Sequence, residues 1–96
     1  MSLEAKLTIL EILERGETNQ SNIILRSRVN YTNCKRILDA FISKKIVTCR
    51  FEAGSGQGGK IYLYKLTEKG KRIVLKLNKL KVLLGVKKIH DFAGGE

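Results

Sequence analysis

The stretch from Asn30 to Lys45 constrains the fold more than any other part of the chain. Its apolar residues recur at spacings of three and four, which predicts an α-helix with one apolar face. These residues are Tyr31, Cys34, Ile37, Leu38, Phe41 and Ile42. The opposite side is polar and basic, so one helix could pack into a core and touch a partner at once. We interpret it as a recognition helix, capped by Asn30 or Thr32.

Two further helices are predicted before the recognition helix. Leu3–Arg15 repeats apolar residues every three or four positions, which indicates an amphipathic helix with Ser2 as its N-cap. Thr18 is expected to cap a second, short helix that runs to about Arg26. A turn over residues 27–30 then leads into the recognition helix.

A β-hairpin is predicted after the recognition helix. Ile46–Phe51 is rich in β-branched residues, and Lys60–Leu66 alternates apolar and polar residues. In the second strand, Tyr62 and Tyr64 are expected to face opposite ways, one inward and one outward. The glycine-rich residues between the strands predict a flexible loop. A phosphate-binding P-loop would need Gly-Lys-Ser/Thr leading into a helix, whereas Gly59-Lys60 leads into a strand.

The last predicted element is a helix from Glu68 to about Leu84, with Thr67 as N-cap and Gly85 at its end. Its apolar residues recur at four, three and four, as in a coiled coil, and predict a dimer contact. They are Ile73, Leu77, Leu80 and Leu84. We divide the chain into a winged domain (1–66), a dimerisation helix with its extension (67–92) and a flexible tail (93–96).

The distribution of charge indicates an anionic partner. The 96 residues contain 19 Lys and Arg against 9 Asp and Glu, a formal net charge of +10. The first helix is acidic, whereas residues 26–50 carry seven basic residues and Asp39 as their only acid. Positive charge therefore accompanies the recognition helix, which favours nucleic acid over a merely solubilising surface.

Several other functions are disfavoured. Cys34, Cys49 and a distant His90 do not make a zinc site, and we expect both cysteines to be reduced core residues rather than a disulfide. No catalytic constellation is suggested, so we expect neither enzymatic activity nor a cofactor. No apolar run approaches the about 20 residues of a membrane span, and Glu4 argues against a signal peptide. We expect a cytoplasmic, nucleoid-associated protein.

The order of these elements, three helices, a strand, a glycine loop, a strand and a helix, is typical of an α+β winged helix-turn-helix. The chain also resembles the small archaeal winged-helix proteins that include transcriptional regulators and basic chromatin-associated proteins. The resemblance depends on Asn30-Tyr31, Lys35–Leu38, Ile46-Val47 and above all Tyr64–Gly70. It implies that the step Leu-Thr-Glu-Lys-Gly leads from the wing into a helix that pairs with a second subunit.

Residue types indicate how such a protein would bind double-stranded DNA. Arg36 can donate two hydrogen bonds to guanine, and Asn33 can pair with adenine. Thr32, Lys35 and Ser43 suit phosphate or base-edge contacts. Arg26 and Arg28 suit phosphates beside the turn, and Arg50 and Lys60 flank the wing.

We therefore expect a homodimeric, sequence-specific DNA-binding protein that regulates transcription. Two alternatives share the fold and remain open at this stage. One is non-specific chromatin packaging, and the other is a protein-interaction module that uses the winged helix to dock a partner.

Overall fold

The computed structural model describes residues 2–53 and 59–85. Its elements are α1 (Leu3–Glu14), β1 (Thr18–Asn19), α2 (Gln20–Ser27), α3 (Tyr31–Ser43), β2 (Val47–Ala53), β3 (Lys60–Leu66) and α4 (Glu68–Leu84). The predicted α+β order of three helices, a hairpin and a fourth helix is confirmed. The predicted loop tip, the extension after Gly85 and the tail at 93–96 lie outside the described residues.

Side-chain caps set where the helices begin. The Ser2 hydroxyl accepts from the Ala5 N–H at 3.1 Å, and the Asn30 carboxamide oxygen accepts from the Asn33 N–H at 2.8 Å, as predicted. The prediction that Thr18 caps α2 is wrong. The cap is Asn19, whose side-chain oxygen accepts from the backbone of Asn22 at 2.8 Å.

Thr18 is instead part of a short strand that the sequence pattern did not reveal. β1 pairs antiparallel with β3, so that the sheet has the order β1-β3-β2 and three strands. The Thr18 hydroxyl accepts from the side chain of Asn22 at 2.8 Å. Two residues are too few to produce an alternating pattern, which is why this strand was missed.

One apolar core joins all four helices to the sheet. It combines Leu10 of α1, Ile23 of α2, Leu38 of α3, Leu66 of β3 and Val74 of α4, among others. Because α4 contributes Val74, its first half shares the core of the winged domain. The role of residues 67–92 in dimerisation stays a prediction.

The cysteines behave as expected. Cys34 is buried, Cys49 is half-buried against the core, and both are free thiols. Burial raises the pKa of the Cys34 thiol. Tyr64 lies across the hairpin from Cys49, and burial, followed by the influence of that thiol, raises the pKa of Tyr64 to about 12.

The junction from α3 to β2 is a helix end of the Schellman type. The Ile46 N–H donates to the Phe41 carbonyl at 2.8 Å and the Lys45 N–H donates to the Ile42 carbonyl at 2.9 Å. Lys45 has φ 63°, the left-handed conformation that this motif requires. The motif turns the chain sharply from the recognition helix into the hairpin.

The start of α4 is held against that junction. The Thr67 hydroxyl donates to the Lys45 carbonyl at 2.6 Å and accepts from the Gly70 N–H at 3.0 Å. Lys69 Nζ donates to the Lys44 carbonyl at 3.0 Å. The Leu-Thr-Glu-Lys-Gly step thus fixes α4 to the turn that follows α3.

Candidate nucleic-acid interface

The outer face of α3 is a polar row that runs along the helix. Thr32, Arg36, Asp39 and Ser43 are four, three and four residues apart, so they share one side of the helix, and all four are exposed. The inner face is buried through Cys34, Ile37, Leu38 and Phe41. Because the inner face is held in the core, the outer row is presented on a rigid helix. We call these four residues the α3 row.

Lys35 and Asn33 border the α3 row on either side. Lys35 is exposed and its Nζ lies 3.3 Å from Asp39 Oδ1, an ion pair one helical turn apart. Asn33 is half-buried, and its backbone N–H is taken by the Asn30 cap. Arg36 has no ion-pair partner among the residues that the structure describes. It is therefore the cation of α3 that is best placed to meet an outside partner.

Tyr31 corrects the sequence interpretation. The apolar pattern placed it in the core, but its side chain is 62% exposed. It stands in the first turn of α3, directly after the Asn30 cap, and the buried residues of this helix begin only at Cys34. A helical pattern does not show where the core stops along the helix axis. The position of Tyr31 in the first turn of the predicted helix was the sequence feature that could have indicated its exposure.

The turn before α3 presents two arginines. Arg26 is exposed, and its Nε donates to the Asn22 side-chain oxygen at 3.1 Å. Arg28 is also exposed and ends α2 in the left-handed conformation, with φ 61°. Both residues thus lie at the end of α2 that leads into the recognition helix, and the Arg26 guanidinium reaches back one turn to Asn22.

The two faces of the hairpin separate Arg50 from Lys60. The pairs Val47–Leu66, Cys49–Tyr64, Phe51–Tyr62 and Ala53–Lys60 lie directly opposite one another. Residues in such a ladder share one face, and the first pair is buried in the core, so this is the inner face. Lys60 belongs to it. Arg50 alternates to the outer face, away from the side on which α3 packs.

Arg50 is also engaged by two carboxylates. Its Nε and Nη2 each donate to Glu17 at 2.9 Å, and its Nη1 donates to Glu52 at 2.8 Å. Donation from Arg50 lowers the pKa of Glu17, and the acceptance of these hydrogen bonds by Glu17 and Glu52 raises the pKa of Arg50. This arrangement ties the α1–β1 loop to the hairpin. It leaves Arg50 less suited to a phosphate contact than the sequence suggested.

The predicted orientation of the two strand tyrosines is wrong. Tyr62 and Tyr64 are two residues apart and so lie on the same face of β3. Their burial differs nevertheless, because Tyr64 is in the core and Tyr62 is 48% exposed. The helices cover the half of the hairpin nearest the core and leave the half nearest its loop exposed.

The α4 stripe, defined as Ile73, Leu77, Leu80 and Leu84, lies along one side of its helix. Ile73 and Leu77 are half-buried, and Leu77 packs against the core of its own chain. Leu80 and Leu84 are 40% and 57% exposed. The stripe is thus covered within the chain at its start and uncovered at its end.

An open groove of about 670 Å³ lies between the end of α1, the outer face of the sheet and α4. Leu13, Leu66, Val74 and Leu75 contribute apolar surface to it.

Residues 2–53 and 59–85 contain no cluster of His, Cys, Asp and Glu that could hold a metal ion. No helix in this described part is long and apolar enough to cross a membrane.

Comparison with sequence families gives one match. A family model described as winged helix-turn-helix matches residues 2–84, most of the chain. No curated protein sequence matches.

Solved structures share the fold. A PadR family transcription regulator from Clostridium difficile matches with a TM-score of 0.76 and 19% identity over 84% of this chain and 90% of its own. Bacillus subtilis PadR, solved in complex with operator DNA, matches with a TM-score of 0.68 and 20% identity over 75% of this chain. The match spans only 45% of that PadR chain. The circadian clock associated protein Pex from Anabaena gives a TM-score of 0.68 at 15% identity, over 83% of this chain and 76% of Pex.

Proposed function

Since the chain belongs to the winged helix-turn-helix family, we propose that it binds double-stranded DNA sequence-specifically as a homodimer and regulates transcription. The α3 row carries this proposal, because it is an exposed polar row on a helix whose other side is fixed in the core. A solved neighbour of similar fold, Bacillus subtilis PadR, is described with operator DNA. We infer that α3 of each subunit enters a major groove.

Each side chain has a proposed role in the groove. Arg36 donates to the O6 and N7 of a guanine, and Asn33 pairs with an adenine. Thr32, Lys35 and Ser43 bind phosphates or base edges. Arg26 and Arg28 bind phosphates and fix the position of α3, and Lys60 does the same from the wing. We reassign Arg50 to holding the hairpin in place, because Glu17 and Glu52 already bind it.

Asp39 favours specific binding over packaging. It lies within the α3 row, so its carboxylate faces the same partner as Arg36. A protein that only neutralised phosphates would gain from an acid there no more than its ion pair with Lys35, since the charge opposes approach to the DNA backbone. A carboxylate can accept from the N4 amino group of cytosine. This observation supports sequence-specific recognition rather than the non-specific alternative.

Binding across a salt series tests the DNA proposal. If Z phosphates are neutralised, the logarithm of the binding constant should fall with the logarithm of the salt concentration with a slope of about −0.9Z. Selection of bound duplexes from a random pool should then give a repeated half-site. The absence of salt-dependent binding to any duplex would contradict the proposal. Binding to every duplex with equal affinity would favour packaging.

The uncovered end of the α4 stripe supports a homodimer. Leu80 and Leu84 leave apolar surface in water, and Leu83 beside them is 81% exposed. A second α4 would bury this surface and would place two copies of α3 on one face of the assembly. Two such helices would read half-sites about 34 Å apart.

Negative charge introduced into the α4 stripe by mutation should dissociate the proposed dimer. We expect the double variant Leu80→Glu, Leu84→Glu to run as one chain in light scattering where the wild type runs as two. Both side chains are exposed within a single chain, so the fold should survive, with an unchanged far-UV circular dichroism spectrum. Truncation after Lys71 would be a poorer test, because it removes Val74 from the core. Lys79→Glu, on the same helix, is the control that should stay dimeric. A double variant that remains dimeric would show that the subunits meet elsewhere.

A further inference from the structure

Two polar contacts join α1 to α4. The side-chain nitrogen of Asn78 donates to Glu14 Oε2 at 2.8 Å, and Lys81 Nζ lies 3.8 Å from Glu11 Oε2. Glu11 precedes Glu14 by three residues and Lys81 follows Asn78 by three, so the contacts lie one turn apart between antiparallel helices. We call these four residues the α1–α4 clasp.

The ion pair of the clasp is partly shielded from water. The side chain of Lys81 is 15% exposed and that of Glu11 is 36% exposed. The aliphatic part of Lys81 therefore lies along the protein surface instead of extending into solvent. Such a pair adds little to the stability of the fold, but it joins two defined points on the two helices.

The clasp holds the half of α4 that the core does not hold. The first half is fixed, because Gly70 lies against the backbone of Ile46 and Val74 is buried in the core. From Asn78 to Leu84 every residue is exposed or half-buried. On the side of α4 that faces the sheet lies the open groove of about 670 Å³. Contacts with α1 therefore restrain the tilt of this second half.

The tilt of α4 determines where a second subunit lies. From Gly70 to Leu84 the helix is about 21 Å long. A tilt of about 10° at its start moves the far end by about 4 Å, which is close to the rise of one base pair, about 3.4 Å. The exposed end of the α4 stripe, at Leu80 and Leu84, belongs to this far half.

We propose that the α1–α4 clasp sets the separation of the two α3 helices in the dimer, and with it the distance between half-sites that the dimer prefers. Its four members are positioning residues, because they act through the tilt of α4 and touch no DNA. This inference rests on the proposed DNA binding and on the proposed dimer contact. It adds a selection for half-site spacing that no base contact provides.

The test uses duplexes in which the distance between two half-sites is changed one base pair at a time. Each step changes the distance by about 3.4 Å and rotates the second half-site by about 35°, so a dimer with a fixed tilt should prefer one distance sharply. In fluorescence anisotropy titrations, Lys81→Glu should reduce the ratio of affinities between the preferred duplex and its neighbours by about fivefold, because one contact is lost in each subunit. The ratio is taken for a single protein, so a change in net charge cancels.

Restoring the ion pair should restore the preference. The double variant Glu11→Lys, Lys81→Glu exchanges the two charges and should recover the ratio that Lys81→Glu loses. Asn78→Ala removes the other contact without a change in charge, and it should also lower the ratio in a folded protein, since alanine favours a helix. Lys79→Glu, exposed on the same helix and outside the clasp, is the matched control. Light scattering and circular dichroism would establish that each variant is dimeric and folded.

The outcomes separate this inference from the proposed function. If the wild type binds no duplex or is a monomer, the proposed function is wrong and the inference fails with it. If the wild-type dimer binds every spacing equally, or if Lys81→Glu and Asn78→Ala keep the wild-type ratio, only the positioning role is overturned. A clasp that merely stabilised the fold would change thermal unfolding without changing the ratio. The role is also overturned if Lys79→Glu lowers the ratio equally, or if exchange of the two charges does not restore it.

Discussion

Replacement of Arg36 by alanine is expected to weaken binding to a selected duplex by about tenfold to a hundredfold, the range for losing a paired contact to guanine. Arg36 lies in the α3 row and has no ion-pair partner among the described residues, so its loss removes a contact without freeing a buried charge. Electrophoretic mobility shift or anisotropy measurements at fixed salt would give the ratio of the dissociation constants of the variant and the wild type directly. Binding to a scrambled duplex should weaken less, since that complex retains only the phosphate attraction.

Arg72→Ala provides the charge-matched control. Arg72 is exposed on α4, outside the recognition helix, and its removal lowers the net charge by the same amount. If Arg36→Ala and Arg72→Ala weaken binding equally, Arg36 acts only through net charge. If Arg36→Ala affects selected and scrambled duplexes equally, its role in reading bases is wrong even though DNA binding stands.

The order of the four helices, β2 and β3 could be predicted from the sequence because each of these elements has a clear local pattern. Alternation and helical periodicity depend on neighbouring residues, and the caps at Ser2, Asn30 and Thr67 are local hydrogen bonds. The exposed polar side of α3 follows from the same pattern, because a helix that buries Ile37 and Leu38 must turn its other side outward. The sequence therefore also predicted which polar residues of α3 are exposed.

What was missed depends on tertiary contacts. β1 exists because Thr18 meets Tyr64, a residue far along the chain. Tyr31 and Tyr62 are exposed because the core ends before it reaches them, and no local pattern marks that edge. The ion pair of Arg50 with Glu17 could not be predicted either, because only the folded sheet brings the two residues together.

Gly70, the last residue of the Leu-Thr-Glu-Lys-Gly step, is required by close packing. It lies in the first turn of α4, where an added Cβ would collide with the backbone carbonyl oxygen of Ile46 and crowd the Leu66 side chain. The same carbonyl of Ile46 accepts from the Thr67 N–H at 3.0 Å, and Thr67 caps α4 through the Gly70 N–H. Glycine is therefore required by close approach of two backbone segments, which holds α4 to the end of α3.

Gly70→Ala is accordingly expected to destabilise the protein by about 1 to 3 kcal/mol, as for overpacking against a fixed backbone. The sign is informative, because the same exchange in an open helical site stabilises by up to about 1 kcal/mol. Urea unfolding would measure the free energy, and Tm should fall by about 4 to 8 °C for each kcal/mol lost. Gly59→Ala is the matched control, since nothing lies within 4 Å of its added Cβ, and we expect its effect to stay within about 0.5 kcal/mol. A Gly70→Ala protein as stable as the wild type would mean that α4 does not approach the α3–β2 turn this closely, and the rigid link between the recognition helix and the proposed dimer helix would be lost with it.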